Sequence, residues 1–381
     1  MPPRSESAIA TRDPAVYPDA RDVAAKLSMS DLRTRIPKEC FKKSLPKSLF
    51  YMVRDMGAIL VLQQLYPYVV DSWALTIVWA NAVGFMMWAL FVVGHDCGHG
   101  TFSDYPWVNG LFGHLCHAPL LVPFWPWAKS HSEHHKYHNH VHKDMSFPWL
   151  GLDQQNEQWA ITRWILASPL HPFISFGLMY LTVGYWDGSH FNPMGPLFWN
   201  RRERVQAAVS GASVAVFLYL LVEVVFQRDW PALAVRYLLP WAIYNYWLVM
   251  VTYMQHHSPE TKTFDSNDFH FATAAMETID RKYGWGLDGI HHNITDGHVT
   301  HHLFFTKIPH YNLARATSAL RPHLESLGVY QFENNPLFLW DFWKSNSSLG
   351  FHTHSKNKSH RAHLIGPGYG APADPKGAKS Q

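Results

Sequence analysis

The sequence predicts an all-α integral membrane protein. It would have about four transmembrane helices in two hairpins, beneath a cytosolic helical cap carrying a histidine cluster for two metal ions. Three observations predict it. Charged residues are 16% and aromatic residues 15% of the 381, against roughly 25% charged in an ordinary soluble domain. Apolar residues collect into four runs near spanning length. The 26 histidines bunch after those runs instead of spreading along the chain. A mean hydropathy of -0.16 means the apolar material must be segregated between polar stretches.

Residues 1–45 read as a polar N-terminal cytosolic segment. They lack the apolar core of a secretory signal, so membrane insertion rests on internal segments. A basic cluster follows: Arg33, Arg35, Lys38, Lys42, Lys43, Lys47 and Arg54. The first apolar run, Met56 to Val70, contains Gln63 and Gln64. It reaches spanning length only if Leu49 to Val53 join it and Arg54 snorkels. The second, Trp73 to Val93, holds one Asn and follows a tight link at Asp71 and Ser72. Gln206 to Phe226, with Glu223 near its end, is the third. Pro231 to Met254, interrupted by Arg236 and Pro240, is the fourth. Leu111 to Trp127 and Phe173 to Trp186 are too short or too broken to cross, and the latter suits an interfacial segment.

The basic cluster before residue 55 and Arg201, Arg202 and Arg204 before the third run place the N-terminus in the cytosol; Arg228 and Arg236 are a weak contrary signal. Residues 94–203 and everything after Gln255 then share the cytosolic face with both termini. A membrane domain spans residues 46–345, and residues 346–381 form a polar basic tail. No convincing strands or sequence repeats are evident. Cys40, Cys97 and Cys116 give no disulfide framework and fit a reducing compartment. The net charge of +3 gives no case for a nucleic-acid partner.

The histidines carry the chemistry. His95 and His99 form HDCGH directly after the second run. His131, His134 and His135 form HSEHH. His256 and His257 follow the fourth run, and His298, His301 and His302 form HVTHH. Residues i and i+3 or i+4 share one helix face, so HxxxH and HxxHH aim several imidazoles at one point. Neutral imidazole binds iron, zinc, copper and nickel. The three boxes and the histidine after the fourth run supply at least nine imidazoles, more than one tetrahedral ion uses, which argues for two ions without naming the metal. A single histidine is more often a surface or helix-end residue; three spaced boxes on one predicted face are not. At most one of His138, His140 and His142 joins them. His114 and His117 read as structural, and His352, His354, His360 and His363 as solvated tail residues. Of the nearby carboxylates Asp96, Glu133, Asp144 and Asp296, we expect Asp96 and Asp296 to orient metal-bound imidazoles. The alternative for each is a helix cap or surface charge. Asn293-Ile294-Thr295 matches a glycosylation acceptor, but the topology predicts that it is unmodified.

The stretches VGHDCGHGTFSDYPWVN, FWPWAKSHSEHHKYHNHVHKD and HHNITDGHVTHHLFFTKIPHYNLARAT resemble the membrane fatty-acyl desaturases, in particular the methyl-end group that acts at Δ12 or ω3. The similarity runs from about Ile36 to Phe342. It implies two irons, with His95, His99, His131, His134, His135, His298, His301 and His302 as ligands. His256 in TYMQHH matches the extra ligand after the fourth span, with His257 its competitor. It also implies dioxygen as co-substrate and a fatty-acyl chain on phospholipid or coenzyme A. Electrons would come from a separate donor, cytochrome b5 with its reductase or ferredoxin, because the chain has no HPGG haem motif. His298 stands where front-end relatives tend to have Gln, which favours the methyl-end group. KIPHYNLARAT leans towards ω3. The endoplasmic reticulum membrane is the location the family implies.

Two other readings compete. A hydroxylase, epoxygenase or acetylenase uses the same scaffold and differs in product. A metal transporter needs ionisable or metal-binding groups at mid-membrane depth, and the predicted spans offer Asn81, Glu223 and Arg236 but no histidine. An inactive scaffold is disfavoured by the intact boxes.

Overall fold

A computed structural model describes residues 27–140, 143–144, 149–150, 160–161, 190–256, 261, 264, 269–342 and 362–363. The expected interfacial segment 173–186, residues 1–26, His142, His257, His352, His354 and His360 lie outside the described residues. The helices in chain order are α1 (Met29–Arg35), α2 (Leu45–Gln64), α3 (Trp73–His99), α4 (Pro106–His117), α5 (Phe124–Lys136) and α6 (Arg201–Tyr219). After them come α7 (Trp230–Leu233), α8 (Leu239–His256), α9 (Phe271–Ala275), α10 (Leu287–Ile290), α11 (His298–Phe304) and α12 (Leu313–Ser326). Where the sequence suggested no strands, four short ones form among the described residues. β1 (Trp149–Leu150) pairs antiparallel with β4 (Ala362–His363), and β2 (Asp280–Lys282) pairs in parallel with β3 (Phe332–Asn334). Strands of two or three residues leave too little alternation to read.

Each of the four predicted runs is helical. Among the described residues, two helices are long and apolar enough to cross a membrane: Trp73–His99, with mean hydropathy 1.9, and Arg201–Val225, with 2.1. Their surroundings differ. In the most apolar window, 72% of the first is buried by the rest of the chain and only 17% of the second. Thus α3 is the central pillar. α6, continued by a π-helical turn at Leu220–Val225, turns most of its apolar surface away from the protein.

The irregular residues in these runs are structurally explained. Pro240 has no N–H for the carbonyl of residue 236 and its ring crowds that turn. The chain widens into a π-helix at Ala234–Leu238, and Gln63 Nε2 of α2 donates to the Arg236 carbonyl at 2.8 Å. Asn81 Oδ1 accepts from Trp247 Nε1 at 3.1 Å, so two polar groups on α3 and α8 satisfy each other. Gly84 permits the close approach of these two helices, since a Cβ there would lie 2.7 Å from the Pro240 carbonyl. Arg54 does not extend alone to water: it binds buried Asp55 at 2.7 Å and donates to the Ile290 carbonyl at 2.8 Å.

The long apolar helices and the shorter helices around them share one core. Leu32, Ile36 and Cys40, from the stretch expected to be a polar leader, are buried with Leu320 and Leu324 of α12. Cys40, Cys97 and Cys116 are free, buried thiols. The helix α3 ends at Gly100, whose left-handed φ of 69° turns the chain back into a cap, with the amides of Thr101 and Phe102 on the Asp96 carbonyl. That turn fixes where HDCGH stops.

Candidate metal centre

The histidine boxes come together at the cytosol-predicted end of α3 and α8. His95, His99, His131, His135 and His301 form one group. His134, His138 and His302, and His256, His298 and His302, form a second. The two HxxHH boxes divide their ligands in opposite ways. On α5, His131 and His135, one helical turn apart, serve the first group while His134 serves the second. On α11, His298 and His302 serve the second while His301 serves the first. Each helix therefore faces the seam between the groups, where the rings of His135 and His302 lie 4.2 Å apart.

The ring nitrogens converge. Nε2 of His95 lies 3.1 Å from that of His99; Nε2 of His135 lies 3.0 Å from His131 and 3.1 Å from His301. Nε2 of His298 lies 3.0 Å from that of His256. Proton positions follow from the partners. A carbonyl only accepts, so His138 Nδ1 donates to Ala274 at 2.7 Å and His298 Nδ1 to Ile294 at 3.2 Å. His138 Nε2 is then an acceptor, and His256 Nδ1 donates to it at 2.8 Å. The facing Nε2 atoms of His256 and His298 both present lone pairs. Lone pairs at that separation repel, and a shared cation relieves them. His302 is buried and among the described residues has no hydrogen-bond partner for either ring nitrogen, where a buried imidazole needs one. The donor set is nitrogen-rich and neutral, which suits a divalent first-row metal.

His134 Nδ1 donates to Asp144 at 2.8 Å, and Asp144 also accepts from the amide of Asn139 at 3.0 Å. This carboxylate directs His134 Nε2 into the cluster. Asp96 and Asp296 stand elsewhere. Asp96 accepts from the His310 amide at 2.9 Å and from its Nδ1 at 2.8 Å, while its nearest oxygen is 3.9 Å from His95 Nδ1. Asp296 accepts from Asn293 at 3.2 Å. A similar pair sits beneath, where His292 donates to Asp55 at 2.8 Å. His114 joins α4 to α6 through Ser210 at 2.9 Å, and His117 is stacked on Phe91. Sequence spacing had allowed one of the three trailing histidines into the cluster, and His138 occupies that place. His291, His292 and His310 carried no sequence signal beyond their type.

Residues 71–335 match the family described as fatty acid desaturase, more than half of the chain. The chain belongs to the fatty acid desaturase family. The desaturase is 39% identical over 333 residues to a Delta(12) fatty acid desaturase of Caenorhabditis elegans, covering 86% of this chain and 88% of the relative. It is 37% identical over 320 residues to an omega-3 fatty acid desaturase of the same organism, covering 82% and 77%. A relative in Arabidopsis thaliana, an acyl-lipid omega-3 desaturase (cytochrome b5) of the endoplasmic reticulum, is 37% identical over 300 residues, covering 77% and 75%.

In the desaturase, burial holds His135, His298, His301 and His302 well below the ordinary histidine range, and neighbouring imidazoles add to it. Burial likewise pushes His138 down to about 3. These groups are neutral when folded, whereas in the unfolded chain they titrate near 6.5. Below about pH 6.5 the unfolded chain binds more protons, so stability is complete above that value and is lost as pH falls. Metal ligation needs the same neutral form. Metal content after dialysis should therefore be full at pH 7.5 and largely lost near pH 5, together with a drop in unfolding temperature. Full metal retained at the lower pH would contradict this.

Asp144→Asn removes the charge behind His134 at nearly constant volume. Metal affinity should fall about 10–100-fold, measured by competition with a chelator, with helical content unchanged. An unaltered chelator midpoint would show that Asp144 does not act through His134.

Proposed function

We propose that the chain is an O2-dependent membrane desaturase that introduces a cis double bond toward the methyl end of an unsaturated acyl chain. The observation that carries this is the pair of adjoining imidazole groups beside a mostly apolar cavity between α3, α5 and α8, lined by His95, His131, His134, His256 and His298 together with Trp88, Phe91, Leu248 and the polar Thr252 and Gln255. In this reading His95, His99, His131, His135 and His301 hold one iron, and His134, His256, His298 and His302 the other. His138 supports His256. The irons, when bound, supply the chemistry that uses dioxygen and two electrons to remove hydrogens from two adjacent methylenes.

The protein does the rest by position and exclusion. Asp144 and the Ala274 carbonyl fix the tautomers of His134 and His138. Phe91 and Leu248 keep the reacting methylenes apart from water and hold them beside the cluster. An acyl chain has no polar handle near those carbons, so the shape of this cavity must set the register.

The four helical runs cross the membrane in two hairpins, with both termini and the cap on the cytosolic face of the endoplasmic reticulum. The apolar, largely uncovered α6 supports lipid contact. The electron donor is a separate cytochrome b5 or ferredoxin; the Arabidopsis relative's name supports the former. The acyl chain rides on phospholipid or coenzyme A. Identities of 39% to the Delta(12) relative and 37% to the omega-3 relative do not separate the two positions, and the KIPHYNLARAT stretch supports ω3.

The test is expression in a host that makes oleate but no polyunsaturated fat, with and without fed linoleate, followed by gas chromatography with mass spectrometry. New linoleate means a Δ12 enzyme and new α-linolenate an ω3 enzyme. A hydroxylated product would replace desaturation with hydroxylation on the same centre. No product from a well-expressed chain with a competent donor would overturn the enzymatic reading.

A further inference from the structure

The cavity between α3 and α8 has a volume of about 60 Å³, several times what one water needs. Its lining includes the histidines and, further back along α3, Trp88. Trp88 lies about two turns, roughly 10 Å, before His95 on the same helix. An apolar pocket discriminates one methylene by only about 10–200-fold. A pocket that must count carbons therefore needs an end wall that does not move.

Trp88 is tied by a directed chain of hydrogen bonds to the segment before α11. An indole N–H can only donate, and Trp88 Nε1 donates to His291 Nδ1 at 3.0 Å. The proton of His291 is thereby placed on Nε2, which donates to Thr295 Oγ1 at 3.3 Å. The Thr295 hydroxyl donates to Asp288 Oδ1 at 2.9 Å. Asp288 also accepts the amides of Tyr283 at 2.9 Å and Gly284 at 2.8 Å. Donor and acceptor directions agree from the indole to the carboxylate. Every member is buried; Trp88 is 2% exposed and His291 0%. Burial also pushes His291 down to about 4, which keeps it a neutral acceptor. His291 belongs to neither imidazole group, so the histidine boxes leave it without a role.

We propose that Trp88 is the stop for the methyl end of the bound acyl chain, and that His291, Thr295 and Asp288 are positioning residues that hold its indole in place. The cap thereby sets the end wall of a pocket that lies between two membrane helices. This rests on the desaturase reading above.

The test uses the full-length chain in host membranes, supplied with cis-unsaturated acids that differ only in the number of carbons beyond the existing double bond. The readout is the ratio of products from the longer and the preferred chain. Trp88→Ala should raise that ratio about 10-fold in favour of the longer chain. His291→Phe, which cannot accept the indole proton, should shift it the same way with the wall still present. His291→Gln, whose amide oxygen can accept, should restore the wild-type ratio.

A ratio unchanged in Trp88→Ala or in His291→Phe overturns the proposal. If Trp88→Ala does not accumulate, His291→Phe and His291→Gln decide it alone. Equal loss of all products in both His291 variants, with no change of ratio, would mean that the chain only supports the fold. A wild type that forms no double bond defeats the desaturase reading and the proposal with it, whereas an active wild type with unshifted variants defeats the proposal only.

Discussion

His135→Ala is expected to remove desaturation and at least one metal ion while leaving the helices folded. His135 stands at the seam of the cluster. Its Nε2 lies 3.0 Å from His131 and 3.1 Å from His301, and its ring lies 4.2 Å from that of His302. Removing a partner behind a ligand costs about 10–100-fold in metal affinity or activity, so removing a central imidazole should cost more than about 100-fold in product. The metal-free protein should not lose stability in proportion. His135 is kept uncharged by its burial and then by the neighbouring imidazoles, and among the described residues Nδ1 has no partner, so it contributes little to folding without metal. The expected pattern is an unchanged unfolding temperature without metal and a lost increment with it, since a ligand stabilises only the state that binds it. His114→Ala, which breaks the Ser210 contact on α6, should keep its metal. A His135→Ala protein with two irons and normal product would show that the cluster is not the active centre.

Gly94→Ala should be nearly as damaging, by a route that touches no histidine of the boxes. A Cβ at Gly94 would lie 2.3 Å from His117 Cδ2 and 3.0 Å from Cys116 Cβ. His117 cannot step aside: its ring is stacked 4.7 Å from Phe91, it sits 4.8 Å from Trp127, and it bonds the Phe91 carbonyl. The strain must move α3 against α4 one residue before His95. Overpacking of this kind costs about 1–3 kcal/mol, and the displaced turn carries His95 and His99 with it. We expect a lower unfolding temperature in detergent and loss of metal from the first group. The double variant Gly94→Ala with His117→Ala should recover part of the stability, because the two changes share one clash and do not add. A single variant as stable as wild type, with full metal, would mean that the two helices separate at no cost.

Both results depend on contacts that the sequence shows unequally. The boxes were legible because HxxxH and HxxHH place ligands by helix geometry alone, and that geometry is local. The helical runs were legible for the same reason, down to the awkward Gln63 and Pro240, though not their pairing through the Arg236 carbonyl. The role of Asp96 was not legible: adjacency to His95 suggested a partner for that ring, but the carboxylate is turned to His310, 214 positions away. Asp144, ten positions after His134, could be seen as a nearby carboxylate but not as its partner.

The sequence by itself determined the class of this protein, its apolar helices and nine of the histidines that meet, because periodicity and composition are properties of short segments. Only the tertiary structure decided how those histidines divide into two groups, that His138 joins the second, and that Trp88 is tied to His291 and through it to Asp288. These depend on where one helix face meets another. Side-chain partners separated by a hundred or more residues are chosen by packing of the whole helix set, which no local spacing encodes.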